Sequence, residues 1–468
     1  MSLLAENRLF PIEPSARALA QTLYAEIRDL PILSPHGHTD PRWFAENQPF
    51  PDPAQLFVTP DHYVFRMLYS QGVSLESLGV PRVDGGAVET DGRKIWRVFA
   101  EHFYTLRGTP SRIWLEHAFE TVFGVTKRLG PDTADDIYDQ IADCLPKPEF
   151  RPRALFDRFN IEVIATTESP LDDLRWHKMI KSSDWNGRVI TSYRPDNVVD
   201  PEFDGFQENV EQLGALTGCD TSTWQGYLDA HRIRRAYFKS YGATSTDHGH
   251  PTARTEDLPQ AEAAALFAKA IAGTATAEDS DAFRGQMLTE MAGMSIDDGL
   301  VLQIHPGAYR NHSRSILQSH GRDKGFDIPT RTDYVHALKP MLDAVGTNPD
   351  LTIIVFTLDE TSFSRELAPL AGVYPALKIG PAWWFFDSPE GMRRFRETTT
   401  ETAGFYNTVG FNDDTRAFCS IPARHDVSRR VDCAYLATMI ASGRLEMDEA
   451  IEVAHDLTYR LAKQAYRL

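Results

Sequence analysis

The sequence lacks several features that would assign it to a specialised class of protein. Its 468 residues include four cysteines, and no two of them form a C-x-x-C pair, which argues against a zinc knuckle or a redox motif. Scattered thiols in a long chain are typical of a reducing compartment. No stretch reaches the roughly 20 apolar residues of a membrane span, and the first residues lack the basic and apolar regions of a secretion signal. We therefore expect a cytoplasmic protein without membrane segments.

Positive charge is also scarce. Lys and Arg number 48 against 66 Asp and Glu, which gives a formal net charge of −18. Such a chain is repelled by nucleic acid and by anionic membranes, so neither is an expected partner. Hydrophobic residues make up 42% of the chain and charged residues 24%, which is ordinary for a soluble globular protein. Repeats and low-complexity segments are absent too, so the remaining information lies in local patterns.

Short β-rich runs alternate with helical patterns along most of the chain. Strands that alternate with helices favour a parallel sheet, and eight of them favour an α/β fold of the (β/α)8 TIM-like barrel type. Apolar spacing also predicts an N-terminal helix over 15–29 and a C-terminal helix over 447–465. The eight candidate strands are 32–33, 161–165, 188–192, 236–238, 300–304, 351–356, 377–379 and 407–411.

The spacing of these strands is uneven. Residues 39–160 separate the first two strands, which is far too long for a βα loop, and they contain helical patterns at 94–104 and 113–122. We therefore predict a barrel built from residues 1–38 and 161–468, with 39–160 as a mostly helical insertion packed on its rim. Residues 253–295 form a second, smaller helical excursion.

The first predicted strand ends in two histidines one residue apart, His36 and His38. In a strand, residues two apart point to the same face, so the two imidazoles would lie side by side and form half of a divalent-metal site. The eighth strand neighbours the first in a closed barrel, and it is followed by Asp413 and Asp414. Either carboxylate could complete the site. Imidazole with carboxylate suits zinc, with manganese or iron as alternatives.

Other polar and aromatic side chains follow the remaining predicted strands, where barrel enzymes carry their active sites. They have ordinary explanations as a buried core histidine, packed tryptophans, a surface arginine or a strand-end lysine, and Asp413 and Asp414 could be a helix N-cap. Their joint placement after successive strands favours an active site. The residues are Arg194, Lys239, His305, Trp383, Trp384 and Arg416.

Several blocks in this order resemble those of the uronate isomerases, a divergent family of the amidohydrolase superfamily. The Asp-His-Tyr-x-x-Arg-x-Met, Arg-Asn and Trp-Trp-Phe blocks are the specific ones. The matching blocks are Pro35–His38, Asp61–Met67, Tyr193–Asp196, Asp247–Gly249, Gln303–Asn311, Gly325–Asp327, Gly380–Phe385, Asp414–Arg416 and Arg424–Asp426.

The resemblance implies a distorted (β/α)8 barrel with a helical insertion. It also implies aldose–ketose isomerisation, between D-glucuronate and D-fructuronate and between D-galacturonate and D-tagaturonate, by proton transfer through a cis-enediol. The expected partners are a small sugar acid and further copies of the chain. The implied metal ligands are His36, His38 and Asp414, the catalytic residues Tyr63, Asp414 and His305, and the substrate-binding residues Arg194, Trp383, Trp384 and Arg416.

One loop departs from the family pattern. After the sixth predicted strand, residues 358–362 read Leu-Asp-Glu-Thr-Ser in place of an arginine in a Pro-Arg-Asp context. Arg365 or Arg416 is a candidate to replace that arginine. The alternative function is a metal-dependent hydrolase of the same superfamily, but many of those enzymes carry a histidine in this loop, and its absence favours the isomerase. A non-catalytic sugar-binding barrel is the other alternative.

Overall fold

The computed structural model describes residues 2–468 and centres on a curled parallel sheet. Over these residues the sheet has seven strands in the order β1-β2-β3-β4-β5-β8-β9, and each strand runs parallel to its neighbours. A short antiparallel pair, β6 with β7, lies beside the sheet. The strands are β1 (Ile32–Ser34), β2 (Ile161–Glu168), β3 (Arg188–Tyr193), β4 (Ser245–His248), β5 (Val301–Ile304), β6 (Ala308–Tyr309), β7 (Ile328–Pro329), β8 (Ile353–Val355) and β9 (Leu377–Ile379).

The place of an eighth barrel strand is taken by the irregular segment 407–415. Thr408 forms an isolated parallel bridge with Ile379 of β9. On the other side, the His38 amide donates to the Thr415 carbonyl at 3.1 Å, which joins the segment to the residues after β1. The sheet therefore closes as a distorted TIM-like barrel, which confirms the predicted fold class. The predicted strand over 407–411 is reduced to this single bridge.

The predicted fourth strand was wrong. Residues 236–238 lie within the long helix Trp224–Ser240, and the true fourth strand is β4. The helix buries Tyr227, His231 and Phe238 on one side, and a short aromatic run within such a stripe resembles a strand in sequence. The four residues of β4 are polar yet all buried, so a search for apolar runs misses them. Lys239 consequently ends a helix, where its ammonium binds the Asp298 carbonyl.

Helices surround the sheet, and seven of them, α2 to α8, lie between β1 and β2. Both terminal helices are confirmed, the C-terminal one as a helical stretch with a π-turn at Asp456–Arg460. Within residues 2–468, no helix is both long and apolar enough to cross a membrane. The helices up to β2 are α1 (Pro14–Ile27), α2 (Pro41–Glu46), α3 (Pro53–Phe57), α4 (His62–Tyr69), α5 (Gly92–His102), α6 (Pro110–His117), α7 (Ala134–Ala142) and α8 (Pro152–Arg158).

The remaining helices follow the strands of the barrel. The smaller predicted excursion, 253–295, is confirmed as helical and contains α13 and most of α14. These helices are α9 (Arg175–Lys181), α10 (Asp196–Val199), α11 (Phe206–Thr217), α12 (Trp224–Ser240), α13 (Gln260–Ile271), α14 (Ala277–Asp298), α15 (Arg314–His320), α16 (Lys339–Val345), α17 (Ala368–Ala371), α18 (Pro389–Ala403), α19 (Ile421–Ala441), α20 (Met447–His455) and α21 (Leu461–Ala465).

Residues 39–160, which we predict to be an insertion, contain a core of aromatic side chains. Trp96 and Phe99 of α5 are fully buried and pack edge to face, 5.3 Å apart. The same hydrophobic cluster includes Ile161 and Ile164 of β2. Burial of these side chains stabilises the insertion against the sheet, so α4 is held in a fixed position over one end of the barrel.

Candidate active site

A single cavity of about 1220 Å³ opens at the carboxyl end of the sheet. Its wall combines strand-end loops with the start of α4 from the insertion. The structure thus brings together the site residues predicted from the sequence, which are His36, His38, Tyr63, Arg194, His305, Trp383, Trp384, Asp414 and Arg416.

Two imidazoles and one carboxylate converge at the base of this cavity. His36 Nε2 lies 3.5 Å from Asp414 Oδ1, and His38 Nε2 lies 3.2 Å from the same oxygen. One donor atom from each of the three residues falls within 4.8 Å of the others. Asp413 points elsewhere, because its carboxylate accepts from Ser34 Oγ at 3.0 Å and lies 2.9 Å from His425 Nε2. The structure therefore selects Asp414 as the third member.

The neighbouring backbone and side chains fix this cluster. Thr167 Oγ1, at the end of β2, donates to the Gly37 carbonyl at 2.9 Å and so holds the loop between the two histidines. The indole N–H of Trp383 donates to Asp414 Oδ2, which leaves Oδ1 to face the imidazoles. Asp414 itself has a left-handed backbone, with φ of 32°, a conformation that is uncommon outside glycine and occurs at functional sites.

The cluster has the properties of a metal site. Asp414 Oδ1 is buried and has no aligned hydrogen-bond partner in the described residues, even though His38 Nε2 is close to it. Buried polar atoms without partners are costly, and a cation would satisfy them. Two imidazole nitrogens with one carboxylate oxygen form a donor set that divalent transition metals accept.

Electrostatics favour the protonation states that bind a metal. Burial by itself would raise the pKa of Asp414, but His36, His38 and the Trp383 N–H hold it well below its usual range. Burial lowers the pKa of His38, and Asp414 only partly opposes this. At neutral pH the carboxylate is therefore ionised and His38 is neutral, as ligands must be.

Tyr63 lies at the start of α4 and reaches the cavity from the insertion. The side chain of Asp61 caps this helix by accepting from the Tyr63 amide at 2.8 Å. The Tyr63 ring stacks on His62 at 4.8 Å and meets the edge of Trp114 at 5.7 Å. Burial raises the pKa of Tyr63 above its ordinary value, and the nearby charge of Arg424 opposes this rise.

Two predicted arginines line the cavity in different ways. Arg194, just after β3, is shared between Asp196 at 3.0 Å and Asp247 at 3.3 Å. Arg416 makes one hydrogen bond, from Nη1 to the Asp323 carbonyl at 3.3 Å. Arg365 is absent from the cavity wall and pairs with its neighbour Glu366. Of the two replacements considered for the missing loop arginine, only Arg416 is placed to act in the cavity.

The sequence analysis assigned no role to Asp247, although it noted the Asp-His-Gly block. Asp247 lies on β4, is fully buried, and has its Oδ1 2.7 Å from His305 Nε2, without the alignment of a hydrogen bond. Because the fourth strand was predicted at 236–238, Asp247 was not recognised as a strand residue. Alternation along Ser245–His248 would have directed Asp247 and Ser245 to the same face.

The two tryptophans have different surroundings. Trp383 is buried and lies 5.3 Å from the His305 ring, behind the carboxylate that it binds. Trp384 stacks on Phe385 at 5.1 Å, and the guanidinium of Arg310 lies 5.0 Å from its ring centre. Arg310 was also missed, although it belongs to the Arg-Asn block. Its stacking on an indole is a favourable cation–π contact.

Comparisons with known proteins agree over the whole chain. The family model for glucuronate isomerase (UxaC) matches residues 12–466. The uronate isomerase of Rhizobium meliloti is 66% identical over 466 residues, covering 100% of this chain and 99% of its own. That of Mesorhizobium japonicum is 67% identical over 468 residues, with 100% of both chains covered.

Solved structures show the same relationship. The glucuronate isomerase of Caulobacter crescentus is 60% identical with a TM-score of 0.98, covering 99% of this chain and 97% of its own. The uronate isomerase of Thermotoga maritima is 27% identical with a TM-score of 0.92 over 100% of both chains. A putative metal-dependent hydrolase of Lactobacillus casei, at 14% identity and a TM-score of 0.54, covers 95% of this chain and 97% of its own and shares the fold alone.

Proposed function

The chain belongs to the glucuronate isomerase family of the amidohydrolase superfamily, and on this premise we propose that it interconverts D-glucuronate with D-fructuronate and D-galacturonate with D-tagaturonate. It is an aldose–ketose isomerase. The observation that carries the substrate proposal is the convergence of His36, His38 and Asp414 with Tyr63 in one cavity. A hydrolase is not favoured, because the likeness to the Lactobacillus casei protein is confined to the fold.

The metal that we propose for this cluster is zinc. Two imidazoles and a carboxylate suit it, although the donor set also accepts manganese or iron. When bound, the ion would act as a Lewis acid that polarises oxygen atoms of the sugar. His36, His38 and Asp414 would hold it, with Asp414 oriented by Trp383.

The chemistry requires a proton to move from C2 of the aldose to C1 through a cis-enediol. In the proposed mechanism Tyr63 carries the carbon-bound proton and Asp414 shuttles a proton between hydroxyl oxygens. Because burial raises the pKa of Tyr63, its phenolate needs positive charge close by. His305, which lies beside Asp247, would hydrogen-bond a substrate oxygen.

Substrate binding would depend on the charged and aromatic side chains of the wall. Arg194 and Arg416 are the candidates for gripping the uronate carboxylate, which matches the forked geometry of a guanidinium. Trp383 and Trp384 offer apolar surface to the C–H face of the sugar. Phe385 and Arg310 already contact the Trp384 ring, so Trp384 has less surface to offer.

We also propose that the enzyme works in the cytoplasm as a homo-oligomer. The cysteines at 144, 219, 419 and 433 are all free thiols in residues 2–468, which supports a reducing compartment. Light scattering after size-exclusion chromatography would test the oligomer.

The proposed reaction is tested by exchange of carbon-bound hydrogen with solvent. The zinc-loaded protein is incubated with each uronate in D2O, and deuterium at C1 and C2 is measured by NMR. We expect incorporation with the wild type and none with His36→Ala, which should lose metal and turnover together. His320→Ala, a buried histidine outside the cluster, is the control and should stay active.

Absence of ketose and of exchange with both uronates would overturn the proposed function. Lactones and amides are assayed in parallel, and turnover of these in place of uronates would identify a hydrolase. A protein that binds uronates without either reaction would be the sugar-binding barrel.

A further inference from the structure

Arg424 lies directly behind Tyr63 and has no part in the mechanism above. It belongs to α19, at the back of the barrel, and its side chain is 1% exposed. The guanidinium carbon lies 3.6 Å from the ring centre of Trp114 and 5.2 Å from that of Tyr63. Both aromatic residues come from the insertion, so Arg424 joins the insertion to the barrel at the site.

The other contacts of Arg424 lead to the proposed metal ligands. Nη1 donates to the carboxylate of Asp387 and, at 3.3 Å, to the carbonyl of Asp413. Nε donates to Ser420 Oγ at 3.2 Å. Asp413 directly precedes Asp414, so one planar group contacts both the Tyr63 ring and the segment that carries the carboxylate ligand.

This pair differs from a buried ion pair with a purely structural role. Arg424 Nη2 and Asp387 Oδ1 are buried, and both lack hydrogen-bond partners in the described part of the chain. Removing charges from water is expensive, and a pair with unsatisfied atoms recovers that cost poorly. Packing alone would be served better by apolar side chains, which indicates that the arginine is retained for another reason.

The same helix offers a structural pair for comparison. Arg396 of α18 binds Asp432 of α19 through two hydrogen bonds, of 2.7 and 3.0 Å, and both side chains are buried. Its guanidinium also lies near an aromatic ring, that of Phe395 at 5.3 Å. None of these residues belongs to the wall of the cavity. The two pairs therefore match in burial and chemistry but differ in what they contact.

We propose that Arg424, paired with Asp387, is a positioning residue that holds the Tyr63 ring in place against the metal end of the cavity. The inference rests on the proposed function, because Tyr63 is assigned there as the carrier of the carbon-bound proton. Loss of this support would leave sugar binding intact and impair proton transfer, because a displacement of about 1 Å at a reacting group costs about 100-fold in rate.

The test uses two matched double variants. Arg424→Met with Asp387→Asn removes the pair without leaving a buried unpaired charge. Arg396→Met with Asp432→Asn does the same to the control pair. For the Arg424 double variant we expect wild-type metal content, KM within about threefold and kcat reduced about 100-fold. For the control double variant we expect kcat within about threefold of wild type. Crystal structures of the zinc-loaded variants should show a displaced Tyr63 ring in the first alone.

A second variant covers the case in which the first does not fold. Arg424→Lys keeps a cation for Asp387 but removes the planar guanidinium that lies against the two rings, so kcat should fall at least tenfold with KM preserved. Wild-type kcat in Arg424→Lys, or a kcat loss in the double variant no larger than that of the control, would overturn the inference.

Wild type and Tyr63→Phe are measured in the same assay. An inactive wild type defeats the proposed function. If the wild type is active and Tyr63→Phe is inactive, the proposed function stands. A fully active Arg424 double variant in that case overturns only the inference about Arg424.

Discussion

At the scale of single residues, the orientation of one carboxylate decides whether the site can bind a metal. The indole N–H of Trp383 donates to Asp414 Oδ2, so Oδ1 faces His36 and His38. Groups that hydrogen-bond to a metal ligand fix its orientation, and their loss typically lowers metal affinity. Trp383 is therefore expected to act on the metal as well as on the sugar.

Replacing Trp383 tests this expectation. Trp383→Phe keeps an aromatic ring but removes the indole N–H, so we expect zinc affinity to fall about 10- to 100-fold, as measured by competition with a metal-binding dye. Trp384→Phe is the matched control, since Trp384 does not bind Asp414 in the described residues, and it should leave affinity unchanged. Equal affinities in the two variants would show that Trp383 does not orient the ligand.

Arg194→Lys tests recognition of the uronate carboxylate. Lysine keeps the charge but loses the forked pair of donors, so we expect KM for the uronates to rise about 10- to 100-fold. Binding of neutral aldoses should change little. Arg416→Lys is measured alongside, and Arg232→Lys, an exposed residue of α12, is the control. An unchanged KM in Arg194→Lys with a raised KM in Arg416→Lys would assign the carboxylate to Arg416.

At the scale of the elements, the irregular segment 407–415 that carries Asp414 requires a glycine at position 410. Gly410 within it has φ of 77°, and a Cβ there would lie 2.8 Å from the Leu457 carbonyl oxygen. Glycine is therefore required twice, for its backbone conformation and for the close approach of the C-terminal helical stretch.

Gly410→Ala and Gly404→Ala separate these two requirements. Gly404 also has positive φ, of 66°, but a Cβ there would meet nothing within 4 Å. We expect Gly404→Ala to cost about 1 to 3 kcal/mol of unfolding free energy and Gly410→Ala about 2 kcal/mol more than that, as measured by urea denaturation. Equal losses would show that the segment relaxes around the added methyl group.

Which elements the sequence predicts depends on how their side chains are buried. The strands β2, β3 and β5 are apolar, and the predicted runs overlap them closely. β4 is polar and buried, and the eighth strand is a single bridge, so neither has the pattern of a regular strand. Sequence periodicity reports burial of apolar groups, and it does not report polar groups that are buried for chemistry.

Site residues that line the cavity were identified from the sequence, whereas the fourth strand, which leads into part of its wall, was not. The roles of these residues stay predictions. The His-x-His motif and the family blocks identified the residues that the cavity collects. Asp247, Arg310 and Arg424 received no role, because their contacts at the cavity are with residues distant in the chain. The division into a barrel and an insertion at residues 38 and 161 stays a prediction.

At the scale of the whole molecule, buried histidines make stability depend on pH. The unfolded chain binds protons at histidine below about pH 6.5, whereas these folded side chains stay neutral to lower pH, so acid favours unfolding. Burial lowers the pKa of His62 and His231 to about 3 and that of His117, His177 and His250 to about 4.

Two acids oppose this trend. Burial raises the pKa of Glu168 to about 8 and that of Asp387 to about 7, so both stabilise the folded state as the pH falls towards their ordinary values. The histidines outnumber them, and each costs about 1.4 kcal/mol per pH unit below 6.5.

We therefore expect a lower urea midpoint at pH 5 than at pH 7. His117→Gln, which removes one contribution far from the cavity, should weaken the dependence. A midpoint that is equal or higher at pH 5 would contradict the burial of these histidines as neutral groups.

The proposed metal ligands come from the two ends of the chain. His36 and His38 follow β1, whereas Asp414 lies in the segment that meets β1 without a regular ladder in residues 2–468. A bound ion would therefore link the two sides of this weakly closed junction in the ring of strands. Removing the ion with a chelator should destabilise this junction first. Amide hydrogen exchange should then accelerate in β1 and in the segment 407–415, while β2 and β3 stay protected.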